Sequence, residues 1–207
     1  MFELSGVKYK DIVDIPVLTI GAARVTTLMG PSGSGKTTIL RLLCKLISPD
    51  EGVIRWQGED LAGIESVSYR RRVTMLSQTP VVFEGTVKEN LAAGLRFQKR
   101  DIPADDKLSA MLREVGLDKP LGGSVQTLSG GEKQRLSLAR VLLLNSDAYL
   151  LDEPSAALDE ASAEAVIAKI VDFARGNNKT LVMVTHAREI ARRYSDDIVE
   201  IGAGGRI

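Results

Sequence analysis

The residues Gly30-Pro31-Ser32-Gly33-Ser34-Gly35-Lys36-Thr37 place three glycines, a lysine and a threonine at the spacing of a phosphate-binding loop. Glycine lets a backbone turn tightly and aim its N–H groups inward, where a Cβ would obstruct an anion. The helix expected to start near Lys36 adds unpaired N–H groups and the positive end of its dipole. In such a loop Lys36 reaches the β- and γ-phosphates of a nucleoside triphosphate, the Thr37 hydroxyl binds Mg²⁺, and Thr38 donates to the α-phosphate. A merely flexible turn needs one or two such residues and no lysine at the helix start. The stretch is read as a nucleotide site, with Gly30, Ser32, Gly33, Ser34 and Gly35 as its wall.

A second glycine-rich helix start is Leu128-Ser129-Gly130-Gly131-Glu132, which precedes the amphipathic run EKQRLSLARVLLL. Ser129 as N-cap with Glu132 three residues on is a capping box. Capping explains the serine and the glutamate but not two adjacent glycines, which weaken a helix start by about 1 kcal/mol each. Bare backbone at a helix N-terminus suits a second anion contact. The two roles are compatible.

LSGGE, with the phosphate loop before it and Tyr149-Leu150-Leu151-Asp152-Glu153 after it, resembles the ATPase domain of ABC proteins across nearly the whole chain. The resemblance implies ATP and Mg²⁺ as cofactors. It also implies an ATP-dependent head-to-tail homodimer, in which Ser129, Gly130 and Gly131 of one copy meet the ATP held by the other. In that family Asp152 would hold Mg²⁺ through water and Glu153 would polarise the attacking water as general base. Gln78 would touch Mg²⁺ or the lytic water, and His186, the single histidine, the γ-phosphate. Tyr9 is similar to the aromatic that stacks on adenine, and Ser155–Asp159 to a loop that crosses the dimer interface. Without the resemblance, Asp152-Glu153 reads equally well as a salt-bridged pair at a strand end.

These groups need elements to hold them. Residues 24–29 predict a buried strand into the phosphate loop, and the apolar spacing over 36–47 predicts a helix stopped by SPDEG. VIRWQG reads as a hairpin arm with Trp56 on an edge. Strands are expected at 73–77, 148–152 and 180–185, and a helix over 159–175, capped by Asp159 and stopped by Gly176 with Asn177. Residues 79–146 read as mainly helical, with RFQKRDIPADDK as a loop. The expected fold is α/β, a P-loop ABC-type ATPase with a mostly parallel sheet, an N-terminal antiparallel β part and a helical subdomain. The core subdomain would take about 1–78 and 147–207, and the helical one about 79–146.

With 207 residues, 44% apolar and 26% charged, the chain can bury the core of one sizeable domain. Lys plus Arg and Asp plus Glu number 27 each, so no nucleic-acid partner is expected. The run Arg70-Arg71-Arg72 reads as a solvated face. The lone cysteine, Cys44, excludes an intrachain disulfide and reads as a small buried hydrophobe. The first residues lack the apolar core of a signal peptide. The apolar runs fall far short of the roughly 18 residues that span a bilayer. A soluble chain, cytoplasmic and peripheral on the inner face of the membrane, is therefore expected.

Within the family, only about 90 residues separate Lys36 from Ser129, which leaves no room for the coiled-coil insertion of chromosome and repair members. A soluble ATPase acting on a protein or nucleic acid would be expected to show a basic face or an added domain. NKTL at 178–181 lacks the aspartate of a guanine-reading motif. QTPVVFEGTVKENL (78–91) resembles the region that receives a coupling helix from an integral membrane permease on a separate chain, with Val82 and Phe83 in the groove. Its form, with YRRRV and ALDE, is similar to the bacterial iron-export ABC ATPases.

Overall fold

The computed structural model describes residues 1–207. The first half of the chain forms β1 (Phe2–Tyr9), β2 (Val13–Ile20), β3 (Val25–Met29), α1 (Lys36–Leu43), β4 (Glu51–Trp56), β5 (Glu59–Asp60), α2 (Ser66–Arg72) and β6 (Val73–Leu76). The helices α3 (Val87–Phe97), α4 (Asp105–Glu114) and α5 (Gly130–Leu143) follow. The chain closes with β7 (Ala148–Asp152), α6 (Glu160–Gly176), β8 (Thr180–Val184), α7 (Arg188–Tyr194) and β9 (Asp197–Glu200).

Two sheets result. One is antiparallel, in the order β2-β1-β4-β5, and the other is parallel, in the order β6-β7-β8-β3-β9. The continuous apolar runs of β7 and β8 are explained by burial on both faces of the parallel sheet. Alternate residues point to opposite sides. Ala148, Leu150, Val182 and Val184 join a cluster with α1 and the antiparallel sheet. Tyr149, Leu151, Leu181 and Met183 join another with the helices α3 to α6. Because β3, β6, β7 and β8 are parallel, their carboxyl ends share one edge, where open α/β sheets bind ligands. Gly30, Gln78, Glu153 and His186 all follow those ends.

Several boundaries differ from the sequence reading. The helix predicted to residue 47 stops at Leu43, because Lys45 turns left-handed (φ 53). The Lys45 ammonium then binds the carbonyls of Leu61, Ala62 and Ile64, and Leu46 is left exposed. Trp56 is not on an edge. It is 3% exposed, because β4 lies between β1 and β5, and its ring meets Tyr69 edge-on with the Arg72 guanidinium 4.1 Å from its centroid. The run at 70–72 is more than a solvated face. Arg70 donates to the Lys45 carbonyl (3.2 Å), and Arg72 pairs with Asp147 (2.7 Å).

Asn177 caps the C-terminus of α6 as expected, while Gly176 stays within the helix and Asn178 is the residue that turns left-handed (φ 55). The loop read at 96–107 is shorter at both ends, since α3 runs through Phe97 and α4 starts at Asp105. Asp159 caps α6 by accepting from the Ser162 N–H at 3.0 Å, as its type predicts. Cys44 is buried, and burial pushes its thiol up to about 11. No helix is long and apolar enough to cross a membrane.

Candidate nucleotide site

The phosphate loop starts where the fully buried β3 runs out. At Gly30 (φ 154) a Cβ would stand 2.2 Å from the Ile201 carbonyl oxygen, and at Gly35 (φ 91) it would stand 2.8 Å from that of Ile12. Neither position admits a side chain. At Gly33 (φ 78) a Cβ would meet nothing within 4 Å, so the backbone there is bare toward open space. Gly35 is also the N-cap of α1 and offers no side-chain cap, which leaves the first N–H groups of the helix free of a side-chain acceptor.

Lys36 is 6% exposed, and its Nζ donates to the carbonyls of Gly30 (2.9 Å) and Pro31 (2.7 Å). The loop is thus folded around its own cation. Ser34 Oγ is buried without a partner. An unpaired hydroxyl, a buried ammonium and uncapped amides in one turn fit a polyanion.

Thr37 Oγ1 donates to Asp152 Oδ2 at 2.8 Å, which joins α1 to the end of β7. Asp152 is 3% exposed, and burial raises its carboxyl above the usual range while the Thr37 hydroxyl opposes the rise. A hydroxyl and a carboxylate oxygen in contact are a hard-oxygen donor pair of the kind Mg²⁺ takes.

Glu153 is a left-handed non-glycine residue (φ 48), and its N–H donates to the Val184 carbonyl at 3.2 Å. Its carboxylate is held from both sides. Gln78 Nε2 donates to Oε2 at 3.1 Å, and His186 Nε2 lies 3.1 Å from Oε1. The ends of β6, β7 and β8 thus converge on one carboxylate. A cavity of about 250 Å³ lies between this trio and the phosphate loop, lined by residues 32–38 with Ile12, Gln78, Glu153 and His186.

The structure therefore brings together the phosphate loop, Thr38, Gln78, Asp152, Glu153 and His186. It does not bring Ser129, Gly130 or Gly131 to this cavity, because they open α5 elsewhere. There Ser129 and Glu132 form the expected capping box, with the Ser129 N–H donating to Glu132 at 2.8 Å and the Glu132 N–H to Ser129 Oγ at 3.3 Å. Tyr9 is also outside the cavity lining. Its half-buried ring packs on the apolar cluster beneath the antiparallel sheet, with Lys10 Nζ 5.3 Å from the centroid. Ile12 lines the cavity instead, and nothing in the polar stretch around it signals that role. Gln134 is a second residue the sequence reading missed. It is 1% exposed, and its Nε2 lies 3.5 Å from the Glu153 carbonyl oxygen. A glutamine on the buried face of α5 was the available signal.

A phosphate loop feeding a helix, with an Asp-Glu pair at the end of a parallel strand one removed in the same sheet, defines a P-loop ATPase. The chain belongs to the ABC transporter family, whose model matches residues 14–156. It is 32% identical to the tungstate uptake system ATP-binding protein TupC of Peptoclostridium acidaminophilum, over 93% of this chain and 88% of that protein. It is 37% identical to the L-cystine import ATP-binding protein TcyN of Bacillus subtilis (strain 168), over 90% of this chain and 75% of that protein. It also matches the ABC multidrug transporter mdr2 of Aspergillus fumigatus at 37% identity, but there it spans 23% of the relative's length.

Among solved structures, a dimeric ATP-binding cassette in a post-hydrolysis state bound to ADP and Pi superposes with a TM-score of 0.87 at 26% identity. It covers 100% of this chain and 96% of its own. These relatives are import and multidrug systems, and none of them is specific to iron export.

Proposed function

We propose that the chain is the ATP-hydrolysing subunit of a membrane transporter. Two copies would close head-to-tail on ATP and drive an integral membrane permease on a separate chain at the inner face of the cell membrane. The observation that carries this reading is the Glu153 carboxylate held between Gln78 and His186, facing the phosphate loop across one cavity. The relatives named as ATP-binding proteins of uptake and import systems support it.

The residues divide the work by chemistry. Lys36 exchanges the Gly30 and Pro31 carbonyls for the β- and γ-phosphates, and the backbone of residues 32–35 with Thr38 wraps the rest. Thr37, Asp152 and Gln78 would hold Mg²⁺, which when bound neutralises developing phosphate charge. Glu153 takes the proton of the attacking water, Gln78 and His186 orient its carboxylate, and His186 meets the γ-phosphate. Ser129, Gly130 and Gly131 come from the other copy and close the far side of the triphosphate. Tyr9 is proposed to stack on the adenine.

The permease would dock on the helical part. Phe83 is 40% and Phe97 74% exposed, and their rings meet edge-on at 5.8 Å. Val82, expected in this groove, instead packs on the core. Two adjacent exposed aromatics suit an apolar partner helix. Phe83→Asp is expected to leave the fold intact and abolish co-purification with the permease. The cargo, for which the sequence resemblance suggests a metal ion such as iron, would be selected by the permease.

Glu153→Gln tests the central claim. It should lower ATP turnover by about 10²- to 10⁴-fold and trap an ATP-bound dimer in size-exclusion chromatography. Unchanged turnover would remove Glu153 as the base.

A further inference from the structure

The two glycines that open α5 have different surroundings. A Cβ at Gly130 would meet nothing within 4 Å, whereas one at Gly131 would stand 2.7 Å from Leu158 Cδ2 and 3.4 Å from the Ala157 carbonyl oxygen. What crowds a side chain at Gly131 is the tip of Leu158, in this chain's own turn after Glu153. One helical turn on, and so on the same face, Gln134 reaches the same turn. Its Nε2 lies 3.5 Å from the Glu153 carbonyl oxygen, and its Oε1 is buried without a partner.

The turn itself is internally bonded. The Ala156 N–H donates to the Glu153 carbonyl (3.2 Å), the Leu158 N–H donates to that of Ser155 (3.1 Å), and Leu158 packs on the core cluster. It also contains a strained residue. A left-handed non-glycine residue is strained and persists only where its surroundings over-determine it. At Glu153 the amide side is held by Val184, and the carbonyl side faces α5. A buried glutamine with only its amino group engaged is a poor way to stabilise a core. It is a direct way to hold a backbone.

From this geometry we infer that Gly131 and Gln134 form a seat for the Glu153–Leu158 turn, and are positioning residues that keep the Glu153 carboxylate aimed at the cavity. This role rests on Glu153 acting as the base. Since Ser129 and Gly130 open the same helix, the seat ties each copy's base to the nucleotide held by its partner.

The experiment uses the full chain and four variants: Gly131→Ala, Leu158→Ala, the double variant of these two, and Gln134→Met. In the nucleotide-free protein, exchange of the Ala156 amide should speed up about tenfold in Gly131→Ala and in Gln134→Met, since local opening sets that rate. In the double variant it should return to within about threefold of Leu158→Ala, because the shortened side chain makes room for the new methyl. In turnover assays Gln134→Met should lose about tenfold in kcat with KM within about twofold, the signature of a misplaced group and not of lost binding. The unfolding temperature of Gln134→Met should not fall, since an apolar chain replaces a half-satisfied amide.

Unchanged exchange in the single variants, or failure of Leu158→Ala to restore Gly131→Ala, would overturn the seat. Altered exchange with unchanged kcat would overturn the positioning role. An inactive role for Glu153 would show separately, as unchanged turnover in Glu153→Gln, while the exchange results would still report on the seat.

Discussion

The phosphate loop and the LSGGE turn both open a helix with glycine, yet they are built to opposite specifications. Gly30 and Gly35 adopt backbone conformations closed to other residues, and the helix behind them has no side-chain cap. Ser129, in contrast, caps its helix with Glu132 in reciprocal hydrogen bonds, and one of the two glycines that follow is pressed against Leu158. The first turn spends stability on open donors and an enclosed cation, which suits holding an anion without help from a second copy. The second is a stable helix start with little uncommitted, which suits a surface that completes another copy's site. Glycine-rich helix starts are thus not equivalent, and the presence or absence of the cap tells them apart.

The largest effect that would break this comparison is on nucleotide affinity. Lys36→Ala should weaken ATP binding to the isolated chain about 100-fold by calorimetry, from the loss of charge-assisted hydrogen bonds. Ser129→Ala should change it by less than about twofold, since it lies outside the cavity. Equal losses would mean that the two turns act on one nucleotide within one chain.

Next comes backbone strain. Gly35→Ala should destabilise the fold by about 1–3 kcal/mol in urea unfolding, because it forces a methyl against the Ile12 carbonyl at a positive φ. Removal of the Ser129 cap should cost about 1 kcal/mol.

The smallest effect is in pH, and it has opposite signs at the two sites. The Ser129 backbone N–H, and then Lys119, hold the Glu132 carboxyl below the usual range. Its contribution is therefore full above the unfolded value and lost as pH falls through the folded one. Asp152 is raised by burial, so its penalty is full at neutral pH and relieved as pH falls through its folded value. Urea unfolding should find Glu132→Gln less stable than the parent and Asp152→Asn more stable at pH 7, with both differences shrinking on acidification.

Much of this was legible in the sequence because the motifs sit at strand ends and the strands are apolar throughout. β3, β6, β7 and β8 were readable from their runs, and with them the positions of Lys36, Gln78, Glu153 and His186. β1 and β2 were not, since their outward-facing polar residues break the runs and only pairing with each other and with β4 makes them strands. The end of α1 was misread because the apolar pattern continues to Ile47, while the carbonyls that capture the Lys45 ammonium come from residues 61–64. Gln134 and Ile12 belong to the site through contacts across the fold, which residue spacing along the chain cannot express.

His186 is the only imidazole in the chain, and it rests on Glu153; Trp56 is the only indole, and it lies beneath Arg72 in the core cluster shared with the antiparallel sheet. The molecule therefore carries two native spectroscopic labels with separate duties. A single histidine ring resonance should shift when nucleotide enters, while tryptophan emission stays flat until the fold itself gives way.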